Sequence, residues 1–431
     1  MFNRTNYQMF TYMLASDHKK HTNNKIFYGW YIVSAGFSIQ LLIGALMMHS
    51  FTAYFPLLES QFGWSRATLS GAFALSRAES GLLGPLQGWL IEKYGPRMMG
   101  VFGMCLFGIG FILFSKIDSV LGYYFTFFLM AAGSSIAGHL TVATAIINWF
   151  NRKRGVAVGL SSTGFGLAGI LVPLIAWSLT EQGWRDTAFY SGICIIIVGI
   201  PICLILRRDP EPYGYLPDGD KLPDIESTDT EGRDLTGFTV REAIKTRSFW
   251  YLGIGHALSL LTVGAVSLHL VPHVVDSVGL SVPLASTAVA VMTVFFVTGQ
   301  VAGGFLGDKY SKRWLAAIGT LMHSVALLIL AYSTNIAMVY VFSILHGSAW
   351  GLRGPIMATI RADYFGRAYF PSIMGFSSLV IMLGMTVGPL FAGYMADIFG
   401  DYKLGFIIIS ALAALGSVFF VLARPPALPE R

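Results

Sequence analysis

Long apolar runs, repeated almost from end to end, are the feature that most constrains how this chain can fold. Each run is about 20 residues or longer, the length that an α-helix needs to cross the hydrocarbon core of a bilayer. Hydrophobic residues make up 54% of the 431 residues and charged residues only 12%, whereas a soluble protein carries roughly 25% charged residues. The runs are too continuously apolar for the alternating strands of a membrane barrel. We therefore predict an all-α polytopic membrane protein.

Polar segments divide the runs into two sets of six predicted helices. A stretch rich in Pro, Gly and Asp separates the sets and is typical of a flexible linker, and its end, TVREAIKTR, is expected to form a short amphipathic surface helix. The predicted spans are 29–55, 67–91, 97–115, 121–148, 155–180, 187–206, 248–276, 283–306, 314–333, 336–360, 370–396 and 403–422. The predicted domains are an N-terminal tail (1–27), a first bundle (28–207), a linker (208–247), a second bundle (248–423) and a C-terminal tail (424–431).

The distribution of lysine and arginine predicts the orientation. If both termini are cytoplasmic, the cytoplasmic segments hold 23 of the 29 Lys and Arg residues and the outer loops hold four. Cytoplasmic loops of membrane proteins carry an excess of these residues. We therefore predict a multi-pass protein of the cell membrane with both termini in the cytoplasm.

An internal repeat relates the two sets of helices. The loop after the second predicted helix reads G-x3-E-K-Y from Gly88, and the loop after the eighth reads G-x3-D-K-Y from Gly304, 216 residues later. Pro173 in the fifth helix and Pro389 in the eleventh are separated by the same 216 residues. This shared offset predicts two pseudo-symmetric six-helix bundles, with a substrate site at their interface near the middle of the membrane.

In these paired loops the chain resembles the major facilitator superfamily, from about residue 28 to residue 424. Further motifs resemble the branch of monocarboxylate transporters and oxalate–formate antiporters: GW (29–30), FGWSRATLSGAFALS (62–76), NWFNRKRG (148–155), GWR (183–185) and RADYFGR (361–367). The resemblance implies that helices 1, 4, 7 and 10 line a central cavity, that helices 2, 5, 8 and 11 join the halves, and that the halves rock to give alternating access. Glycines at small-residue spacing in helices 5 and 11 fit such a moving contact: Gly164, Gly166, Gly169, Gly384, Gly388 and Gly393.

The repeated loops contain the predicted gating residues. Glu92 and Asp308 lie at helix ends, where a carboxylate can pair with Lys or Arg and also interact with the positive N-terminus of a facing helix. We predict that they hold the cytoplasmic side closed, with Arg97 and Arg313 as partners or headgroup contacts, and that Glu92, in place of the more usual Asp, forms a looser latch. A purely topological role for these charges is the alternative. The predicted gating motif comprises Gly88, Glu92, Lys93, Arg97, Gly304, Asp308, Lys309 and Arg313.

Ionisable residues inside the predicted spans point to the substrate, because a charge in hydrocarbon costs at least about 2.5–3.5 kcal/mol. Arg353 in the tenth helix shares a helical face with His346 and Trp350, since spacings of three, four and seven residues superpose. This face offers a cation, an imidazole and an indole N–H to a carboxylate. His139 in the fourth helix lies close to the position that is pseudo-symmetric to Arg353. The alternative is a structural arginine that binds carbonyl groups or extends to the cytoplasmic edge.

Three further residues are substrate or proton candidates. Glu79, a carboxylate deep in the second predicted helix, is a candidate proton carrier. The resemblance aligns His49 with a substrate-binding lysine of the monocarboxylate transporters, and an imidazole titrates near neutral pH; a hydrogen-bonded interfacial histidine is the alternative. It also aligns Gln300 with the arginine that anchors carboxylates in the eighth helix of that branch. Either Arg353 and His49 supply the missing positive charge, or the substrate is not a simple carboxylate.

Together these features predict a secondary active transporter for a small organic anion, a monocarboxylate first, that works by proton symport or anion exchange. No ATP-binding G-x4-G-K-[ST] sequence is present, so a proton or counter-anion gradient is the expected energy source. The alternatives are a transporter or exporter of a neutral or lipophilic solute and, in another class, a non-transporting membrane sensor. We expect no enzyme activity, no cofactor, no metal and no nucleic-acid partner; the expected partners are the solute and the lipid bilayer.

Overall fold

The computed structural model describes residues 26–65, 68–69, 71–72, 79, 81–220 and 237–429. Within these ranges, helical segments follow one another in the order that the apolar runs predict. We label the spanning helices α1 (Gly29–His49), α2 and α3 (together Gly84–Phe114), α4 (Val120–Trp149), α5 (Arg154–Glu181), α6 (Gly183–Ile205), α7 (Arg247–Asp276), α8 (Val282–Lys309), α9 (Lys312–Ala331), α10 (Ile336–Phe365), α11 (Phe370–Phe399) and α12 (Lys403–Leu422). Among the described residues, ten helices are long and apolar enough to cross a bilayer, with the α2–α3 run counted once. Helix α10 is as long but more polar.

Local breaks shape several helices. The α2–α3 run turns at Gly95, whose φ of 82° favours glycine, and Pro96 follows directly. This break lies between the two spans predicted at 67–91 and 97–115, although residues 66–67, 70, 73–78 and 80 of the first lie outside the described part. Helix α4 is interrupted at Gly138, immediately before His139. Helix α1 ends in a π-helical segment, Gly44–His49, so the first span is shorter than predicted, and Phe55–Phe62 forms a separate short helix.

The two halves of the chain repeat one packing scheme. In the N-terminal half, α1 packs on α5 and the α2–α3 run packs on α4, while in the C-terminal half α7 packs on α11 and α8 packs on α10. Each pair in the second half is the counterpart, six helices later, of a pair in the first. Buried apolar side chains form one cluster centred on the first half and two clusters in the second. The predicted all-α fold with two pseudo-symmetric bundles is therefore confirmed.

Helices α2 and α11, and helices α5 and α8, join the two halves through glycines. A Cβ atom added to Gly88 would lie 2.3 Å from the Pro371 carbonyl oxygen, and one added to Gly304 would lie 2.5 Å from the Gly155 carbonyl oxygen. The second pair lies at the same 216-residue offset as the first, in exchanged halves. Only a residue without a side chain permits backbones to approach this closely.

The glycines predicted to form the moving contact mostly pack inside their own half. A Cβ atom added to Gly164 would meet the backbone of Phe37 in α1, and one added to Gly384 or Gly388 would meet the backbone of α7. That prediction is therefore wrong for these three residues. Gly166 does face the other half, because its nearest neighbours are on α8. Small-residue spacing identifies close helix contacts but not which helix is the partner.

One end of the molecule collects the loops α2–α3, α4–α5, α8–α9 and α10–α11, and we call it the basic end. Residues 207–220 of the linker lie across it: the Arg207 guanidinium is 3.8 Å from the ring centre of Tyr28 and 3.9 Å from that of Tyr213. The predicted surface helix in the linker is a single turn, Val240–Ala243, which begins with a capping box between Thr239 and Glu242.

Candidate functional site

A cavity of about 460 Å³ lies between the two halves. Its size is in the range of small-molecule pockets. Helices α1, α2, α4 and α5 contribute walls from the first half, and α7, α8, α10 and α11 contribute walls from the second. The lining residues are mostly apolar, with a few polar groups that point to the centre: Gln40, Gln87, Ser135, His139, Ser162, His256, Gln300, Arg353 and Ser378.

Arg353 is the cation of this cavity. Its side chain is only 2% exposed, and neither Nε nor Nη1 has a hydrogen-bond partner among the described residues. The aliphatic part of the side chain packs over Gly319 of α9, where an added Cβ atom would lie 3.2 Å from the Arg353 Cγ atom. A buried guanidinium with unused donors is costly unless an acceptor is provided. Such a group is a binding site for an anion.

Arg361, two turns further along α10, shows the opposite arrangement. It is as deeply buried as Arg353, at 1% exposure. Its Nη1 donates to the Met357 carbonyl at 2.7 Å and its Nε donates to Ser377 Oγ at 3.3 Å. The backbone and a hydroxyl therefore satisfy this second arginine. It holds α10 against its neighbours and has no need of a ligand.

Four of the predicted substrate residues line the central cavity together: Arg353, Trp350, His139 and Gln300. The break at Gly138 precedes His139 and begins a new helical segment at that residue. The ring centre of Trp350 lies 4.5 Å from that of Phe296, so these two side chains form an aromatic wall. The buried Gln300 Oε1 atom has no hydrogen-bond partner in the described part of the chain. Gln300 and Arg353 thus line one cavity from adjacent helices.

His346 and His49 do not line the central cavity. His346 turns away from Trp350 and Arg353 towards α9, where its Nδ1 lies 3.1 Å from Nδ1 of His323. The predicted stripe of three side chains facing one ligand is therefore corrected to two. His49 Nε2 lies 3.2 Å from the Phe165 carbonyl oxygen, and the ring borders a smaller cavity that shares Phe165 and Trp350 with the central one.

His256 in α7 lines the cavity but was not predicted. Its Nδ1 atom is buried and has no hydrogen-bond partner among the described residues. On the N-terminal wall, Gln87 Nε2 donates to Ser135 Oγ at 2.6 Å, which links α2 to α4. The sequence signal for His256 was its position: it is the histidine nearest the middle of α7, one of the helices that the family resemblance assigns to the cavity.

Asp308 connects the two halves at the basic end. Its Oδ1 accepts a hydrogen bond from the backbone N–H of Gly155 at 2.6 Å, and its Oδ2 accepts one from Val156 at 2.9 Å. Both donors belong to the first turn of α5, where backbone N–H groups have no partner within the helix and the helix dipole is positive. The carboxylate of one half thus binds the helix N-terminus of the other, in the geometry predicted for a latch.

Glu92 makes the equivalent contact with α11, but with one bond. Its Oε2 accepts a hydrogen bond from Ser372 Oγ at 2.6 Å. The residues of α11 that correspond to Gly155 and Val156 at the 216-residue offset are Pro371 and Ser372. Proline has no N–H to donate, so a hydroxyl on the next residue takes over.

The other predicted gating cations make different contacts. Lys93, Lys309 and Arg313 lie over the neighbouring aromatic rings of Trp89, Tyr310 and Trp314 at 4.8, 5.7 and 5.5 Å. The ion pairs between halves use residues that were not predicted. Asp363 at the end of α10 pairs with Arg154 of α5 at 3.1 Å and with Lys312 at 2.6 Å.

Glu79, the predicted proton carrier, is buried at 4% exposure. The preceding residues 73–78 lie outside the described part of the chain, so its helix is seen only in fragments. Within the described residues, no group of three or more His, Cys, Asp or Glu side chains is placed to hold a metal ion.

Two related helical halves around a central polar cavity, joined at one end by carboxylates on helix N-termini, define a multi-pass membrane transporter. The family model of the Major Facilitator Superfamily matches residues 36–269 and 252–431. The chain belongs to this superfamily.

Individual relatives agree with this assignment over nearly the whole chain. The oxalate:formate antiporter of Oxalobacter formigenes is 26% identical over 405 residues, which cover 92% of this chain and 91% of that protein. Monocarboxylate transporter 13 of Bos taurus is 25% identical over 421 residues, which cover 94% and 92%. The crystal structure of the human organic anion transporter MFSD10 (TETRAN) superposes with a TM-score of 0.68 at 15% identity, covering 91% of this chain and 99% of that one. This structural similarity supports the fold.

Proposed function

We propose that this protein is a secondary active transporter of small organic anions, with monocarboxylates as the first substrate class. The observation that carries the proposal is Arg353: a buried guanidinium in the cavity between the halves, with two nitrogen atoms that no described residue satisfies. A carboxylate accepts from an arginine through two oxygen atoms and forms charge-assisted hydrogen bonds. Arg361 on the same helix, satisfied by its surroundings, illustrates what a purely structural arginine requires.

The walls around Arg353 suit an anion with a compact organic body. Trp350 and Phe296 offer aromatic surface, while Gln300 offers an unused amide oxygen beside the guanidinium helix. With Gln300 in the position of the family's helix-eight arginine, the anchoring charge is moved to the adjacent helix α10. The names of the two relatives, an oxalate:formate antiporter and a monocarboxylate transporter, favour the same substrate class. Proton symport and anion exchange are both compatible with this site.

Alternating access requires the two halves to rock about the cavity. We propose that the basic end faces the cytoplasm, with both termini on that side, because lysine and arginine concentrate there. Asp308, Glu92 and the Arg154–Asp363 pair cross between the halves at this end. Opening the cytoplasmic side then means breaking these contacts. The moving bodies are residues 28–207 and 248–423, connected by the linker 208–247 and flanked by the tails 1–27 and 424–431.

The test is uptake by the purified full-length protein in liposomes. Labelled lactate, pyruvate, benzoate and oxalate are offered with and without an inward proton gradient or internal unlabelled anion, and mannitol serves as the neutral solute. We expect uptake of at least one monocarboxylate but not of mannitol.

Two arginine variants separate binding from folding. Arg353→Gln is expected to abolish anion uptake while leaving the melting temperature close to that of the wild type, because the wild-type guanidinium has few partners to lose. Arg361→Gln, the matched control on the same helix, is expected to lower the melting temperature, because it removes bonds to Met357 and Ser377. Full anion uptake by Arg353→Gln, or uptake of mannitol alone, would refute the proposed function.

A further inference from the structure

Two histidines face each other inside the C-terminal half, behind the cavity wall. His323 of α9 and His346 of α10 are both 0% exposed, and their ring centres are 4.6 Å apart. Their Nδ1 atoms are separated by 3.1 Å, which is a hydrogen bond between the rings. No residue of the central cavity is needed to make this pair.

The hydrogen-bonding inventory shows what this pair can accept. A bond between two Nδ1 atoms requires that one ring carries a proton there and that the other accepts it, so in the neutral pair one Nε2 is protonated and the other is a bare acceptor. Neither Nε2 atom has a hydrogen-bond partner among the described residues. The neutral pair therefore keeps one free basic nitrogen, and adding a proton there preserves the bond between the rings.

Arg353 lies next to this pair. Its aliphatic chain packs over Gly319, one turn before His323 on α9, and its positive charge acts on both imidazoles. Thr320, between them on α9, contributes a buried Oγ1 atom that also lacks a partner in the described residues. Unsatisfied polar atoms of this kind are ordinarily bridged by internal water. The pair, Thr320 and Arg353 thus form a polar run from the interior of the half to the cavity.

The other helices around the pair bring no carboxylate to it. Helix α12 contributes Ser410, which bonds to Ser324, and has no titratable side chain after Lys403. Helix α8 has no titratable side chain before Asp308 at its basic end. In α7, His256 faces the cavity and His273 Nε2 contacts the Leu330 carbonyl at 3.0 Å. Arg353 is thus the charge that governs the pair.

We propose that the His323–His346 pair is the binding site of the coupling proton, and that an anion bound to Arg353 enables the pair to hold it. This inference rests on the proposed function. With Arg353 uncompensated, a second positive charge beside it is repelled. A carboxylate on Arg353 removes that repulsion, so a proton from the solvent adds to the bare Nε2 atom, and it leaves again when the anion leaves.

This arrangement makes proton and anion binding mutually supportive. Coupling between two sites is reciprocal, so a proton on the pair strengthens anion binding by the same factor as the anion strengthens proton binding. Uptake of one proton with each anion makes the apparent Kd of the anion fall about tenfold for each unit decrease in pH within the titrating range. The protein then works as a symporter without a carboxylate in its cavity wall.

The experiment measures equilibrium binding of labelled lactate, pyruvate, benzoate and oxalate to the purified full-length protein between about pH 6 and pH 8. His323→Asn and His346→Asn place an amide near the former Nδ1 atom, so the contact between the helices can persist, but neither variant can take the proton. We expect the pH dependence of Kd to shrink to less than twofold in both. His273→Asn, which removes a buried histidine of the same half, is the matched control and should keep the wild-type slope.

Three more variants test other proton sites: His139→Asn, His256→Asn and Glu79→Gln. We expect each to keep the slope, whatever its effect on affinity. A slope lost in any of them and retained in His346→Asn would overturn the assignment, as would wild-type binding that does not change with pH. Melting temperatures at about pH 8 check that every variant is folded. Absence of binding and uptake for all four anions would instead overturn the proposed function, a result distinct from binding without pH dependence.

Discussion

Removing the Asp308 carboxylate should open the basic end more than removing the Glu92 carboxylate. Asp308 accepts two backbone hydrogen bonds from α5, whereas Glu92 accepts one hydroxyl bond from Ser372. Both contacts exist only while the halves touch at this end. Each substitution therefore changes the equilibrium between the closed and open forms.

The structure sets the size of the expected effect. A hydrogen bond to a charged group contributes about 1.5–3 kcal/mol, and part of this returns when water solvates the separated groups. We therefore expect Asp308→Ala to favour the open form by about 2–3 kcal/mol and Glu92→Ala by about 1 kcal/mol. Since about 1.4 kcal/mol corresponds to a tenfold change in an equilibrium constant, the shifts are roughly 30- to 100-fold and about fivefold.

Distances between spin labels on opposite halves report this equilibrium. Met98 and Tyr310 are exposed side chains at the basic end, one in each half. Labels on cysteines at these positions, in a protein whose native Cys105, Cys194 and Cys203 are replaced, should give one short distance in the parent protein. Asp308→Ala should transfer population to a longer distance, and Glu92→Ala should transfer less. An equal or larger effect of Glu92→Ala would refute the argument from bond number and the Pro371 substitution.

Two further predictions concern the contact between halves and the linker. Gly88→Ala should lower the melting temperature and block closure of the basic end, because the added Cβ would lie 2.3 Å from a carbonyl oxygen, whereas Gly169→Ala, with no heavy atom within 4 Å, should change neither; equal effects of the two would contradict the packing argument. Burial raises the pKa of the Asp209 carboxyl in the linker, so stability is lost as pH rises through that pKa; Asp209→Asn, which keeps an oxygen for Asn148, should raise the melting temperature at about pH 7.5 and much less near pH 4, below the ordinary range, and a pH-independent difference would contradict it.

The architecture was largely predictable because the bilayer imposes it. Hydrocarbon thickness sets the length of each apolar run, and the unsatisfied backbone excludes other spanning structures. The 216-residue offset was equally informative, since it predicted that Asp308 and Glu92 would occupy equivalent positions. What the offset could not show is the chemistry at the receiving helix. There Pro371 replaces a glycine, and only the folded structure reveals that Ser372 becomes the donor.

Side-chain partners on other helices were the part that could not be predicted. His346, Trp350 and Arg353 satisfy the spacing of one helical face, yet His346 turns to α9 because His323 offers a hydrogen bond there. The two histidines are far enough apart in sequence that no local pattern connects them. The same holds for Asp363, which pairs with Arg154 across the halves.

Arg353 and Arg361 show most directly why burial alone does not define a binding site. Both lie on α10, both are buried, and the cost of placing either in hydrocarbon is the same by sequence. Arg361 recovers that cost from Met357 and Ser377, so a ligand could add little to it. Arg353 recovers less from its surroundings and faces a cavity, so an arriving carboxylate gains what the protein leaves unused. Because the same energy must be surrendered on release, a proton that strengthens binding in one orientation and leaves in the other, as proposed for the histidine pair, is the kind of partner such a site requires.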